Sequence, residues 1–141
     1  MSDWVYDFML STIRNKFERR PFWMNVIFVF CVYMTFIYLP WDVLIKPVSE
    51  DEEVWFGILF DGWLAKVGGV MHWVVYAALT FGFWSMSRWL NLWGALYLLQ
   101  VALSMVVWGG LNSEGAEAWT SLAVGGLFVV GAFFFYNTRS T

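Results

Sequence analysis

The chain has 141 residues, of which 60% are hydrophobic and 13% charged, with a mean hydropathy of +0.61 and a formal net charge of −3. A water-soluble domain is about half apolar and a quarter charged, so this composition excludes an ordinary soluble fold and points to hydrocarbon as the solvent. Too little sequence remains outside its apolar runs for a separate soluble catalytic module, and a single membrane domain, 1–141, is expected.

Residues 2–20 open the chain as an amphipathic helix. Val5, Met9, Ile13 and Phe17 recur every fourth residue with Trp4 and Phe8 beside them, while Asp7, Arg14, Asn15 and Lys16 fall elsewhere on the wheel. Its basic half, Arg14 to Arg20, suits the anionic inner leaflet, where each such charge contributes about 1 kcal/mol. A docking helix for a cytoplasmic partner carries the same pattern. Pro21 then separates it from the first long apolar run.

Residues 22–40 contain no Asp, Glu, Lys or Arg. An α-helix needs ~20 such residues to cover ~30 Å of hydrocarbon, so this is the first span. Asp3, Asp7 and Glu18 precede it and it ends in Tyr38-Leu39-Pro40-Trp41 without a small-residue cleavage site, so it is expected to stay in the mature protein. The single Cys31 lies inside it as an apolar packing residue with no disulfide partner.

Residues 41–68 form an outer loop. Its second half carries Asp61 and Lys66 and is broken by Gly57, Gly62, Gly68 and Gly69, while Trp55, Phe56, Phe60 and Trp63 suit an outer-side interfacial helix. The second span, 69–86, has its start bracketed only between Phe60 and Gly69. Arg88 marks a tight turn into the third span, 89–109; an outer loop, 110–118, leads to the fourth, 119–137. The expected fold is therefore an all-α integral membrane protein, a four-helix transmembrane bundle flanked by one interfacial helix on each side.

Charge sets the orientation. Arg14, Lys16, Arg19, Arg20, Arg88 and Arg139 lie on one side, and Lys46 and Lys66 share the other with Asp42, Glu50, Asp51, Glu52, Glu53, Asp61, Glu114 and Glu117. Both termini are thus expected in the cytoplasm, and the short-looped design suits a bacterial inner membrane. Trp23, Trp84, Trp89 and Trp93 near inner ends and Trp41, Trp73, Trp108 and Trp119 near outer ends read as two interfacial belts.

Chemistry is sought among polar residues within or beside the spans, because they face protein or water. Tyr97, Gln100 and Ser104 share one face of span three, and His72 and Tyr76 one face of span two. With Lys46, Asp61 and Lys66 they make a candidate ligand site at the outer mouth, suited to an amphiphile with its head on Lys46, Lys66 and His72; Asp42 and Lys46, four apart, are set to pair. The alternative is that these are solvated topology residues and a hydrogen-bonded interfacial imidazole.

No cofactor or metal is expected: a bis-histidine haem needs two imidazoles where the chain has one, and His72 with Met34 or Met105 is the residual possibility for iron. No Cys/His cluster, nucleophilic triad or phosphate loop occurs. Ala78/Gly82 and Ser121/Gly125/Gly126 are small-residue seams for helix packing, within the chain or in a homo- or hetero-oligomer. Lipid is the expected surrounding and no nucleic acid is expected. Three functions are compatible with these residues: a non-enzymatic accessory, assembly or scaffold subunit of a membrane complex; a binder of, or enzyme for, a quinone, isoprenoid or lipid; and a passive channel resting on Gln100 and Ser104 alone.

Overall fold

A computed structural model of the chain describes residues 3–137, so Ser2 and Arg139 lie outside the described residues. The first helix, α1, is Asp3–Glu18. It stops because Pro21 holds an extended backbone, φ −55° and ψ 147°, and disfavours helical geometry in the residue before it.

Helix α2 runs Phe22–Leu44 and contains a wide π-helical turn at Met34–Tyr38. Pro40 accounts for that turn. It has no N–H, so one carbonyl in the preceding turn loses its partner. Leu39 N–H reaches back to Met34 O, and the next acceptor in that wide pattern, Thr35 O, is met instead by the indole Nε1–H of Trp73 at 2.8 Å. The Thr35 hydroxyl also lies 3.2 Å from that of Thr80, so the defect becomes a polar tie between two helices.

The stretch from Glu52 to Asp61 departs from expectation. In place of an outer interfacial helix there is an antiparallel hairpin, β1 Glu52–Trp55 and β2 Ile58–Asp61, paired Glu52↔Asp61, Glu53↔Phe60, Val54↔Leu59 and Trp55↔Ile58. Its two-residue turn, Phe56–Gly57, has φ +52° and +82°, the left-handed pair that matches strand twist. β-branched and aromatic residues on either side favour the strand over the helix. A side chain at Gly57 would meet Val107 at 2.2 Å, so the turn is pressed against the third span.

Helix α3 is Gly62–Ser85, its start lying between Phe60 and Gly69, and it accommodates Lys66 because that side chain is paired inside the fold. Met86 closes it in the left-handed conformation, with Ser87 N–H donating to Gly82 O. Helices α4, Trp89–Asn112, and α5, Gly115–Asn137, complete the chain. Helices α2 to α5 are each long and apolar enough to cross a membrane.

α4 and α5 pack along their length through small residues. A Cβ on Gly109 would meet Ser121 at 2.3 Å, one on Gly125 would meet Val106 at 2.6 Å, and one on Gly94 would meet Phe135 at 2.5 Å. Ser121 and Gly125 thus face α4 of the same chain, and Gly82 is covered by Trp89 and Leu90. Gly126 opens on free space and Ala78 is exposed. The densest core, with Phe28, Phe83, Leu90 and Phe135, lies near the α1 end. Gly125→Leu is expected to lower the melting temperature in mild detergent, at a cost of about 1–3 kcal/mol from overpacking. Gly126→Leu is expected to leave it almost unchanged.

Candidate functional site

Two polar groups occupy the half of the bundle nearer the hairpin, and one apolar cleft runs from beneath them toward the α1 end. The first group is ionic. Asp42 lies in the last turn of α2, Lys46 and Asp51 in the connection, and Lys66 in the second turn of α3. Lys46 Nζ is 2.9 Å from Asp51 Oδ1 and 3.5 Å from Asp42 Oδ1, and Lys66 Nζ is 3.1 Å from Asp51 Oδ2 and donates to the backbone oxygen of Asp42. The Asp51 side chain is 1% exposed. Two cations and two carboxylates neutralise one another, so neither ammonium is left over for an anionic head group.

Burial alone would raise the Asp51 carboxyl, but hydrogen bonds and charge from Lys46 and Lys66 outweigh it and hold the group below its ordinary 3.8. The hydrogen bond to Asp51 is the main cause raising Lys46 above 10.5.

The second group surrounds His72. Its Nδ1 lies 3.3 Å from Glu53 Oε2, and the Trp55 indole stacks on the imidazole with centroids 4.2 Å apart at 19°. Tyr97 meets the same ring edge-on at 5.9 Å, and Tyr76 meets Tyr97 at 5.5 Å. Gly68 makes the stack possible: a Cβ there would come within 2.8 Å of Trp55 Nε1. Ser104 Oγ accepts from Phe56 N–H at 2.8 Å and from Gln100 Nε2 at 3.1 Å, which pins the hairpin tip to α4. Trp55 Nε1, His72 Nε2 and Gln100 Oε1 are buried without a hydrogen-bond partner. In a low-dielectric site each such atom costs about 1–3 kcal/mol, and this layer holds three.

Below this layer lies a cleft of about 800 Å3, between the α2–α3 and α4–α5 pairs. Its walls include Phe30, Cys31, Leu127 and Gly131, and its polar end is formed by Tyr76 and Tyr97. Exposed residues of α2 and α5, Val26 and Leu127 among them, border its mouth, and the two helices do not pack together along it. Trp23 against Phe135, at 5.8 Å, closes the α1 end.

The structure therefore splits the residues singled out in the sequence. Lys46 and Lys66 join the ion cluster; His72, Tyr76, Gln100 and Ser104 join the imidazole layer and the top of the cleft. Asp61 stands apart from both, exposed at the end of β2 and making no side-chain cap to α3. Asp51, Glu53 and Trp55 were not among the expected site residues. A lysine on each side of an acidic run was the available hint for Asp51, whereas Glu53 and Trp55 reach His72 only through the hairpin. His72 is held by Glu53, Trp55 and Tyr97, and among the described residues no trio of His, Cys, Asp or Glu is grouped for a metal.

No protein-family model, curated protein or solved structure matches the chain.

The ion cluster fixes a pH profile. Asp51 is depressed in the fold, so its stabilisation is complete above 3.8 and is lost as pH falls through its lower folded value; Lys46 is raised, so its share is complete below 10.5 and is lost at higher pH. Thermal unfolding in detergent should show a plateau with loss at both ends. Asp51→Asn should cost about 3 kcal/mol at neutral pH, because the buried Lys66 and the half-buried Lys46 lose a counter-charge, and should flatten the acid limb.

Proposed function

We propose that the protein is a multi-pass membrane protein that binds a lipophile with an uncharged head, of the quinone or isoprenoid class, in the cleft between α2 and α5. The observation that carries this reading is the cleft itself: about 800 Å3, walled by apolar side chains, with two tyrosines at one end. That volume falls within the range of ligand sites, which are mostly apolar with a few polar groups to orient the occupant. A tail enters sideways from the bilayer, and the head meets Tyr76 and Tyr97. His72, braced by Glu53 and Trp55, backs Tyr97 and sets its position. An uncharged head is favoured because Lys46 and Lys66 are already neutralised by Asp42 and Asp51. The reading is one of binding and carries no reaction step.

The same proposal puts the α1 end, with Arg14, Lys16, Arg19, Arg20 and Arg88, on the cytoplasmic side of an inner membrane. α1 then lies in the inner interface, where the exposed Trp4, Phe8 and Met9 meet lipid.

A second reading, an accessory subunit of a larger complex, is favoured by the outer face of α5. That helix packs chiefly on α4 and leaves Val130 and Phe133 exposed, a surface that fits a neighbouring helix as well as it fits lipid. A stoichiometric partner in native mass spectra from mild detergent would support it.

The test of the first reading uses Gly131, which lines the cleft and where an added Cβ meets nothing within 4 Å. Solvent extraction and mass spectrometry of the purified native protein should recover a neutral lipophile in stoichiometric amount. Gly131→Phe projects a ring into the cleft, obstructs it and should abolish recovery with little change in melting temperature. A native protein that carries none, or an obstructed variant that retains it, refutes the reading.

A further inference from the structure

Arg20 sits at the elbow between α1 and α2 and is 4% exposed. Its Nε donates to Lys16 O at 2.9 Å, and its guanidinium lies over Phe28 at 4.5 Å and Phe17 at 5.2 Å. Nη1 and Nη2 are buried with no hydrogen-bond partner. Among the described residues no carboxylate is within ion-pair distance of it, and the neighbouring acid, Glu18, is taken by Arg14 at 2.7 Å. Burial lowers its pKa and no nearby charge offsets that effect. A guanidinium sealed among rings in this way lacks four of its donors' partners and its counter-charge, an arrangement that costs several kcal/mol unless an anion completes it.

The surroundings indicate which anion. Lys16, half-buried over the Trp84 ring at 4.6 Å, and the exposed Arg19 add two positive charges within one helical turn of Arg20. Phe22, 84% exposed, stands next to the elbow as an apolar surface for acyl chains. A planar guanidinium fork fits two oxygens of a phosphate, which is bidentate recognition that an ammonium does not supply. Phe17, half-buried on α1, is the ring that would have to move for an anion to reach the guanidinium.

We propose that the elbow is a binding site for the phosphate of an anionic membrane lipid, with Arg20 as the bidentate group and Lys16 and Arg19 as supporting charges. The bound lipid fastens α1 to the bundle, adding to the bonds from Lys16 Nζ to Trp84 O and from Asn25 Nδ2 to Phe17 O, both 2.8 Å. This site is independent of the cleft between α2 and α5.

The test is lipid retention in native mass spectra, with a parallel melting curve, for the full chain in neutral detergent supplemented with dioleoylphosphatidylglycerol, dioleoylphosphatidylcholine or inorganic phosphate. The native protein should retain and be stabilised by phosphatidylglycerol alone. Arg20→Met should weaken retention about tenfold, equivalent to about 1.4 kcal/mol. Arg19→Met should weaken it much less, because that side chain is exposed and adds only diffuse charge. Arg20→Lys, which keeps the charge and loses the fork, should fall between and serves if Arg20→Met does not fold. Equal retention of the two lipids, equal stabilisation by inorganic phosphate, or an Arg19→Met loss as large as that of Arg20→Met would overturn the proposal. Gly131→Phe should retain phosphatidylglycerol normally, so failure here and failure of the cleft reading are separable.

Discussion

The hairpin end of this molecule depends on a closed set of four charges. Asp42 ends one spanning helix, Lys66 begins another, and Lys46 and Asp51 belong to the segment between them, so their mutual neutralisation joins three pieces of chain where a hydrophobic contact could join only surfaces. Gly62 N–H donates to Asp51 O at 3.0 Å, which places the start of α3 directly on this cluster. With Asp51 fixed, β1 departs in one direction only, and Trp55 and Glu53 arrive over His72. Buried ion pairs contribute less net stability than their Coulomb energy suggests, but they penalise every arrangement that separates them. That is how a ten-residue excursion with few apolar contacts of its own holds one position.

The four spans divide the work unequally. α4 and α5 are zipped together by glycine and serine contacts, while α2 and α3 are joined by the Thr35, Trp73 and Thr80 hydrogen bonds and by the ion cluster. The pairs meet at the aromatic core near α1 and under the hairpin, and stand apart between. In lipid, helix association gains nothing from the hydrophobic effect and depends on close packing and polar ties, so a bundle with seams at two ends and a gap in the middle is stable there. The cleft is a direct result of where the small residues are.

The spans are legible in the sequence because nineteen or so apolar residues in a row have one physical interpretation. Their ends are less so: Lys66 looks too polar for a membrane helix until Asp51 is seen beside it. The hairpin escapes a reading of the sequence because its turn is Phe56–Gly57 and not Asn-Gly or Asp-Gly, the signals that mark a left-handed pair. Its aromatic residues resemble those of an interfacial helix, and the strand preference of Val54, Trp55, Ile58 and Phe60 is too weak to decide without the turn signal. His72, Tyr76, Gln100 and Ser104 can be put on facing surfaces from helical spacing alone. Glu53 and Trp55 cannot, since they reach the imidazole through a tertiary fold-back, and the cleft reflects a choice of helix partners that periodicity does not encode.

The π-helical turn before Pro40 has a geometric consequence for the far end of its helix. One residue inserted into a helical turn advances everything after it by roughly 100° about the axis. Asp42 comes after that insertion, so its azimuth relative to Phe28 and Cys31 is set by the extra residue, and it looks toward Lys66 because the helix has been rotated there. The defect is thus an angular offset between two halves of a single rod, with the lower half phased for aromatic packing and the upper half phased for charge.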